Sequence, residues 1–200
     1  MEIQARAAMV DSQTFVHFPL VKFKEQVARF DGVSQALHWL TAMLVIGQFA
    51  SALLHEQRHG AAAELLLSFH RSAGIATWIV VAMRLLWRRR FAYLPPFPAA
   101  MPRAQQWAAK LNEHGLYLLL LLQPLTGLAT MLAFGHPFAL FLWQIPVLME
   151  QNKPLAHVLK ETHETGAWIF AALIGLHTAA ALFHALVLRD RVLQRMLPDV

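Results

Sequence analysis

Three histidines, His163, His177 and His184, lie in one long apolar stretch, residues 161–190. His163 and His177 are 14 residues apart, nearly four turns of an α-helix, so their imidazoles leave the same helix face about 21 Å apart along the axis. The hydrocarbon core of a bilayer is about 30 Å thick. One ring is therefore predicted near each membrane surface. This geometry suits two cofactors stacked across a membrane, each taking one ligand from the same helix.

The composition predicts that this stretch belongs to an integral membrane protein. The chain has 200 residues, of which 57% are hydrophobic and only 14% are charged. That is too apolar for an ordinary soluble domain. We expect an all-α fold, a membrane four-helix bundle, with spans at about residues 34–54, 65–87, 113–132 and 164–188. Residues 1–30 are predicted to form an N-terminal arm, and residues 31–200 a single transmembrane domain.

The basic residues predict the orientation of the bundle. The formal net charge is +5, and Lys and Arg fall between the apolar runs instead of forming the single stripe of a nucleic-acid binder. One side holds 13 of the 17, which predicts that this side is cytoplasmic and that both termini lie on it. The apolar segment 137–149 is too short to span and is expected to lie along the outer membrane surface.

Depth in the membrane sorts four histidines into two pairs. His38, near the cytoplasmic start of the first span, matches His177, and His70, near the outer start of the second span, matches His163. A single histidine at a span end is more often an interfacial residue, but four in two depth-matched pairs favour a shared role. Two neutral imidazoles from facing helices are a standard axial pair for a b-type haem. We therefore expect two haem b groups, one for each pair.

The absence of cysteine limits the other cofactors. It excludes disulfides, covalent c-type haem attachment and cysteine-ligated iron–sulfur clusters within this chain. Small residues beside the histidines would let a porphyrin approach the helices closely: Gly74, Gly166 and Gly175.

Four further residues are candidates for contacts near the predicted cofactors. Arg71 directly follows a predicted ligand and is a candidate contact for a haem propionate or an anion. His184 lies two turns beyond the last predicted ligand on nearly the same face. It is a candidate for a hydrogen bond to a propionate or a quinone, and a plain interfacial role stays open. Arg29 and Ser34 are candidate quinone contacts on the inner side.

Residues 55–59 read HEQRH and satisfy the H-E-x-x-H pattern of zinc metalloproteases. That chemistry needs a continuous helix, a third ligand and a cavity for water. Here the motif follows the end of the first predicted span and continues into a loop at Gly60. We interpret it as a chance match in an outer loop, and a membrane metalloprotease is kept as a remote alternative.

Several segments resemble the bacterial cytochrome b561 family: RFDGVSQALHWLTAMLVIGQF, LSFHRSAGI, HGLYLLLLLQPLTGL and THETGAWIFAALIGLHTAAALFH. The resemblance covers about residues 29–198. It implies a four-helix, di-haem b protein of the inner membrane that exchanges electrons with quinone. The family's ligand positions fall on the same four histidines: His38, His70, His163 and His177.

The best-characterised type in that family is similar to a superoxide:ubiquinone oxidoreductase. The resemblance thus implies an oxidoreductase that takes electrons from a small periplasmic donor, such as superoxide, and delivers them to ubiquinone. The alternative is a non-enzymatic electron-carrier subunit that serves a separate dehydrogenase or reductase.

Overall fold

Four long helices run alternately up and down in a computed structural model that describes residues 28–198. The predicted N-terminal arm, residues 1–30, therefore lies outside the described residues except for its end. The helices and the two short strands have the following bounds: α1 Gly32–His55, α2 Ala61–Arg90, α3 Arg103–Phe134, β1 Phe138–Leu140, β2 Trp143–Ile145 and α4 Lys153–Phe183. A π-helical turn, His184–Leu188, and a 3₁₀ turn, Leu193–Met196, follow α4.

Short local signals set the helix ends. Asp31 caps α1 by accepting a hydrogen bond of 3.0 Å from the Ser34 backbone amide. Asn152 caps α4 in the same way, with its side chain 3.1 Å from the amide of Leu155. At the other end of α3, Gly135 has a φ of 66°, a left-handed conformation that glycine adopts without a steric cost.

All four helices are long and apolar enough to cross a membrane, which confirms the predicted fold class. The helices extend beyond the predicted spans, because hydropathy detects only the apolar part of a helix. The fourth was expected at 164–188, but α4 begins at Lys153 and ends at Phe183, where the π-helical turn replaces the last α-helical turn.

The connector between α3 and α4 contains an antiparallel hairpin of β1 and β2, which the sequence did not indicate. The backbone amide of Phe141 donates a hydrogen bond of 2.6 Å to the Ser72 hydroxyl. The hairpin therefore folds back onto α2, two residues beyond His70.

The interior of the bundle contains one buried apolar side chain from each helix: Val45, Val81, Leu120 and Phe170. Phe170 lies seven residues from each predicted ligand of α4, and its ring centroid is 6.1 Å from that of Phe49. Large apolar side chains also cover the outside, as shown by Trp168, which is 73% exposed. Exposed apolar side chains around long helices are expected where lipid is the solvent.

Candidate functional site

Two pairs of histidine rings face each other inside the bundle. His38 of α1 and His177 of α4 form the inner pair, with ring centroids 6.1 Å apart. His70 of α2 and His163 of α4 form the outer pair, with centroids 6.2 Å apart. The structure thus brings the four histidines together in the combinations that the depth argument predicted. The names inner and outer follow the orientation predicted from the basic residues.

The ring spacing fits a metal bound between each pair. Two metal–imidazole bonds of about 2 Å, together with the distance from each nitrogen to its ring centre, place the centroids about 6 Å apart. The ring planes meet at 61° in the inner pair and 85° in the outer pair. Axial imidazoles can rotate about their metal–nitrogen bonds, so both angles are compatible with an axial pair. The donor set, two neutral nitrogens on opposite sides, is that of a b-type haem.

Backbone carbonyls hold the outer pair in one tautomer. The Nδ1 atom of His70 is 3.0 Å from the carbonyl oxygen of Gln48, and Nδ1 of His163 is 3.1 Å from that of Gln123. A carbonyl oxygen only accepts hydrogen bonds, so both Nδ1 atoms carry the proton. Each Nε2 atom then keeps its lone pair for a metal, which is the usual arrangement around metal-binding histidines.

The inner pair has a different environment. The Nδ1 atom of His38 is 3.1 Å from a terminal nitrogen of Arg84. A guanidinium only donates hydrogen bonds, so Nδ1 accepts and the proton sits on Nε2. For a neutral His38 to bind iron through Nε2, that proton would have to move to Nδ1, and Arg84 would then be a neighbouring cation that no longer donates to the ring. Within residues 28–198, the ring of His177 has no hydrogen-bond partner.

Glycines pack around the outer pair, but not all in the predicted way. A Cβ atom added to Gly127 of α3 would lie 3.1 Å from Cε1 of His163, so this glycine leaves room for the ring. Sequence reasoning missed Gly127, because only the packing of α3 on α4 brings it there. A Cβ atom added to Gly166 would lie 2.8 Å from the side-chain oxygen of Gln123, which points to a role in helix packing.

Arg71 lies at the outer end of the bundle, beside His70. It forms an ion pair of 2.9 Å with Glu64, and its guanidinium carbon is 5.9 Å from the ring centroid of Phe138. The Arg71 side chain is only 11% exposed. Its Nε atom is buried and has no hydrogen-bond partner in the described part of the chain. That unused donor fits the predicted contact with a propionate or another anion.

His184 is buried at the inner end and both of its ring nitrogens have partners. Nε2 is 2.8 Å from the side-chain nitrogen of Gln105, and Nδ1 contacts the carboxylate of Asp190. An Nδ1 proton satisfies both contacts, since the carboxylate accepts and the amide donates. The predicted candidate therefore sits in a polar cluster whose other two members the sequence did not indicate.

The other two inner candidates lie near the start of α1. Arg29 donates a hydrogen bond of 3.3 Å to the carbonyl oxygen of Leu197, and Ser34 donates one of 2.7 Å to Asp31. Ser34 also lines a small cavity together with the two guanidiniums of Arg84 and Arg88.

Asp31 links the inner ends of α1 and α2. Besides the bonds from Ser34, it accepts one of 2.9 Å from the indole nitrogen of Trp87. Burial acts to raise the pKa of the Asp31 carboxyl, but the hydrogen bonds from Ser34 and Trp87 outweigh it and hold the pKa below its ordinary value of 3.8.

The HEQRH motif does not form a helical metal site in the structure. Helix α1 ends at His55, and the next residues form a turn before α2. Nδ1 of His55 lies 3.2 Å from the carbonyl oxygen of Ala63. The two histidines of the motif are therefore not on one face of a continuous helix, as the protease chemistry requires.

Comparisons with known proteins identify a family and several relatives. A family model described as prokaryotic cytochrome b561 matches residues 29–199. The chain is 33% identical over 175 residues to cytochrome b561 homolog 1 of Escherichia coli K12, covering 85% of this chain and 97% of that protein. It is 32% identical over 165 residues to a probable superoxide oxidase of Yersinia pestis, covering 81% and 92%. Cytochrome b561 homolog 2 of Escherichia coli K12 is 30% identical over 184 residues, covering 88% and 95%.

Proposed function

The chain belongs to the prokaryotic cytochrome b561 family, and on that premise we propose that it carries electrons across the membrane through two haem b sites. Membership makes it a bacterial membrane protein that binds haem b and transfers electrons. The finer proposal assigns one haem to the outer pair, His70 and His163, and one to the inner pair, His38 and His177. The observation that carries it is the matched ring spacing, 6.2 Å and 6.1 Å, at two depths along α4.

Bound haem b supplies one-electron redox chemistry at iron. The protein itself holds the two haems in place and separates them from water. α4 contributes one imidazole to each site, so a single rigid helix sets their separation. Phe170 and its apolar neighbours fill the space between the sites and exclude water.

We propose superoxide as the donor at the outer end and ubiquinone as the acceptor at the inner end. Oxidation of two superoxide ions to two O₂ releases the two electrons that one ubiquinone takes up with two protons. At the outer end, the unused Nε donor of Arg71 supports anion binding. At the inner end, we assign His184, Arg29 and Ser34 to the quinone site. The Asp190 carboxylate holds the proton on Nδ1 of His184, so Nε2 can exchange a proton once Gln105 moves away.

The second candidate, an electron carrier for a separate dehydrogenase, is favoured by the charge pairing at the outer end. Arg71 is bonded to Glu64 and Lys160 to Glu164, each at 2.9 Å. Paired cations attract a small anion less strongly than unpaired ones. The two candidates share the haem sites and the quinone, and differ only in the donor.

Two measurements test the proposal. A reduced-minus-oxidised spectrum with haem quantitation should show two b-type haems per chain; one haem or none would contradict the two-site assignment. Superoxide-driven reduction of ubiquinone by the purified protein in liposomes should then proceed without another protein. Two haems without that activity would favour the carrier role.

A further inference from the structure

Arg84 places a positive charge inside the inner half of the bundle. Its terminal nitrogen is 3.1 Å from Nδ1 of His38, and its guanidinium carbon is 5.2 Å from the ring centroid of Tyr117. Arg84 belongs to α2, and its charge lies between His38 of α1 and Tyr117 of α3. Arginine stays protonated at any physiological pH, even when it is buried.

The charges around Arg84 do not balance. The nearby carboxylate, Glu113, forms an ion pair of 3.0 Å with Arg88. Two guanidiniums therefore share one carboxylate, which leaves a net positive charge beside the inner pair.

The outer pair has the opposite electrostatic environment. Its neighbouring cation, Arg71, is bonded to Glu64 at 2.9 Å. Both of its histidines donate to backbone carbonyls, which place negative dipole ends against the rings. A hydrogen bond of this kind raises the basicity of a ligating imidazole, and a more basic ligand favours the ferric state.

We propose that Arg84 makes the inner haem site the more easily reduced of the two, so that electrons run from the outer pair to the inner pair. A bis-imidazole haem has one more positive charge at iron when it is ferric than when it is ferrous. A nearby unbalanced cation in a medium of low dielectric constant therefore disfavours the ferric state. The inference rests on the proposed two-haem function, and it adds the residue that sets the order of the two reduction potentials. Arg84 acts here through the electrostatics of the site, as a positioning residue.

The test is a redox titration of the purified holoprotein, wild type and Arg84→Gln, followed in the haem absorption bands. In Arg84→Gln, we expect the reduction equilibrium constant of the higher-potential haem to fall about tenfold. Its midpoint potential then falls by about 59 mV, the value of a tenfold change for a one-electron couple. The lower step should stay in place. His177→Ala, which removes an inner ligand, should eliminate the higher step and so identify it. No shift, or a shift of the lower step, would overturn the inference.

Two further variants separate charge from packing. Arg84→Lys keeps the charge and should retain the wild-type potential. Glu113→Gln removes the compensating carboxylate and should move the higher step upward, so it tests the same electrostatics if Arg84→Gln loses haem. An unchanged or lower potential in Glu113→Gln would contradict the inference. Arg90→Gln, beyond the ion pair at the end of α2, is the matched control and should leave both steps unchanged.

Haem content distinguishes this inference from the proposed function. If the protein holds two six-coordinate b-type haems and neither potential responds to Arg84 or Glu113, only the role of Arg84 is wrong. If wild-type protein holds fewer than two haems, the two-site function itself fails.

Discussion

The outer and inner histidine pairs have nearly the same ring spacing, 6.2 Å and 6.1 Å, but different neighbours. Backbone carbonyls brace both outer rings with the proton already on Nδ1. In the inner pair, a guanidinium contacts His38, and His177 has no hydrogen-bond partner among residues 28–198. Helix packing therefore sets where the rings lie, while the groups behind them set how each site would hold an iron and at what potential.

The largest expected effect separates the two pairs by deletion. His163→Ala should remove the outer haem and leave the inner one, and His177→Ala should do the reverse, each with a loss of about half of the bound haem. The measurement is haem quantitation combined with the reduced-minus-oxidised spectrum. His114→Ala is a suitable control, because that ring belongs to neither pair and its Nδ1 lies 2.6 Å from the carbonyl oxygen of Lys110 in the same helix. Loss of both haems in either ligand variant would show that the sites are not independent.

A smaller change tests the bracing of the outer pair. Gly127→Ala places a methyl group 3.1 Å from His163, whose Nδ1 atom contacts the Gln123 carbonyl and the Thr126 hydroxyl of the same helix, α3. Because moving the ring away would break these hydrogen bonds, we expect affinity for the outer haem to fall by about tenfold, with the inner haem retained. Haem content after dilution in detergent measures this.

Gly47→Ala is the matched control for Gly127→Ala. Its Cβ would meet only the ring edge of Phe69, at 3.4 Å, which is an ordinary contact. Equal haem loss from both variants would mean that the bracing is not specific to His163.

A several-fold effect is expected for the anion contact at the outer end. Arg71→Gln removes the buried guanidinium beside His70 and should lower kcat/KM for superoxide several-fold, with a weaker dependence on ionic strength. Stopped-flow kinetics at two salt concentrations measure both quantities. Arg58→Gln, in the loop between α1 and α2, should change them little. A larger effect at Arg58 would place the anion path elsewhere.

The smallest effect concerns Asp31, which anchors the inner ends of α1 and α2. Asp31→Ala removes the cap and should cost about 1 kcal/mol of stability, measured by thermal unfolding in detergent. The pKa of this carboxyl is lowered in the folded state, so its stabilisation is present above the unfolded value of about 3.9. It is lost as the pH falls through the folded pKa.

Asp31→Asn tests that pH dependence directly. The amide still caps the helix but does not titrate, so the stability of this variant should lack the part of the decline below about pH 4 that belongs to Asp31. An identical acid profile for wild type and Asp31→Asn would contradict the role of the carboxylate charge.

Much of the architecture was predictable because membrane helices carry strong local signals. Four apolar runs predicted four spans, and all four are helices. Helix α4 begins before the predicted fourth span, because its first turns are polar and hydropathy does not detect them. The β-hairpin was also missed, since Phe141 owes its position to the Ser72 hydroxyl of another element.

The sequence by itself determined the two depths of the site, because the 14-residue spacing of His163 and His177 and the fixed rise of an α-helix leave little freedom. The sequence also predicted the histidines that pair with these two rings, because His70 and His38 lie near the starts of their spans, at matching depths in the membrane. Only the tertiary structure decided what lies behind each ring. Arg84 reaches His38 from another helix, and the Gln123 carbonyl reaches His163 from α3. Such contacts depend on how helices are rotated and packed against one another, which a periodic pattern along one chain does not specify.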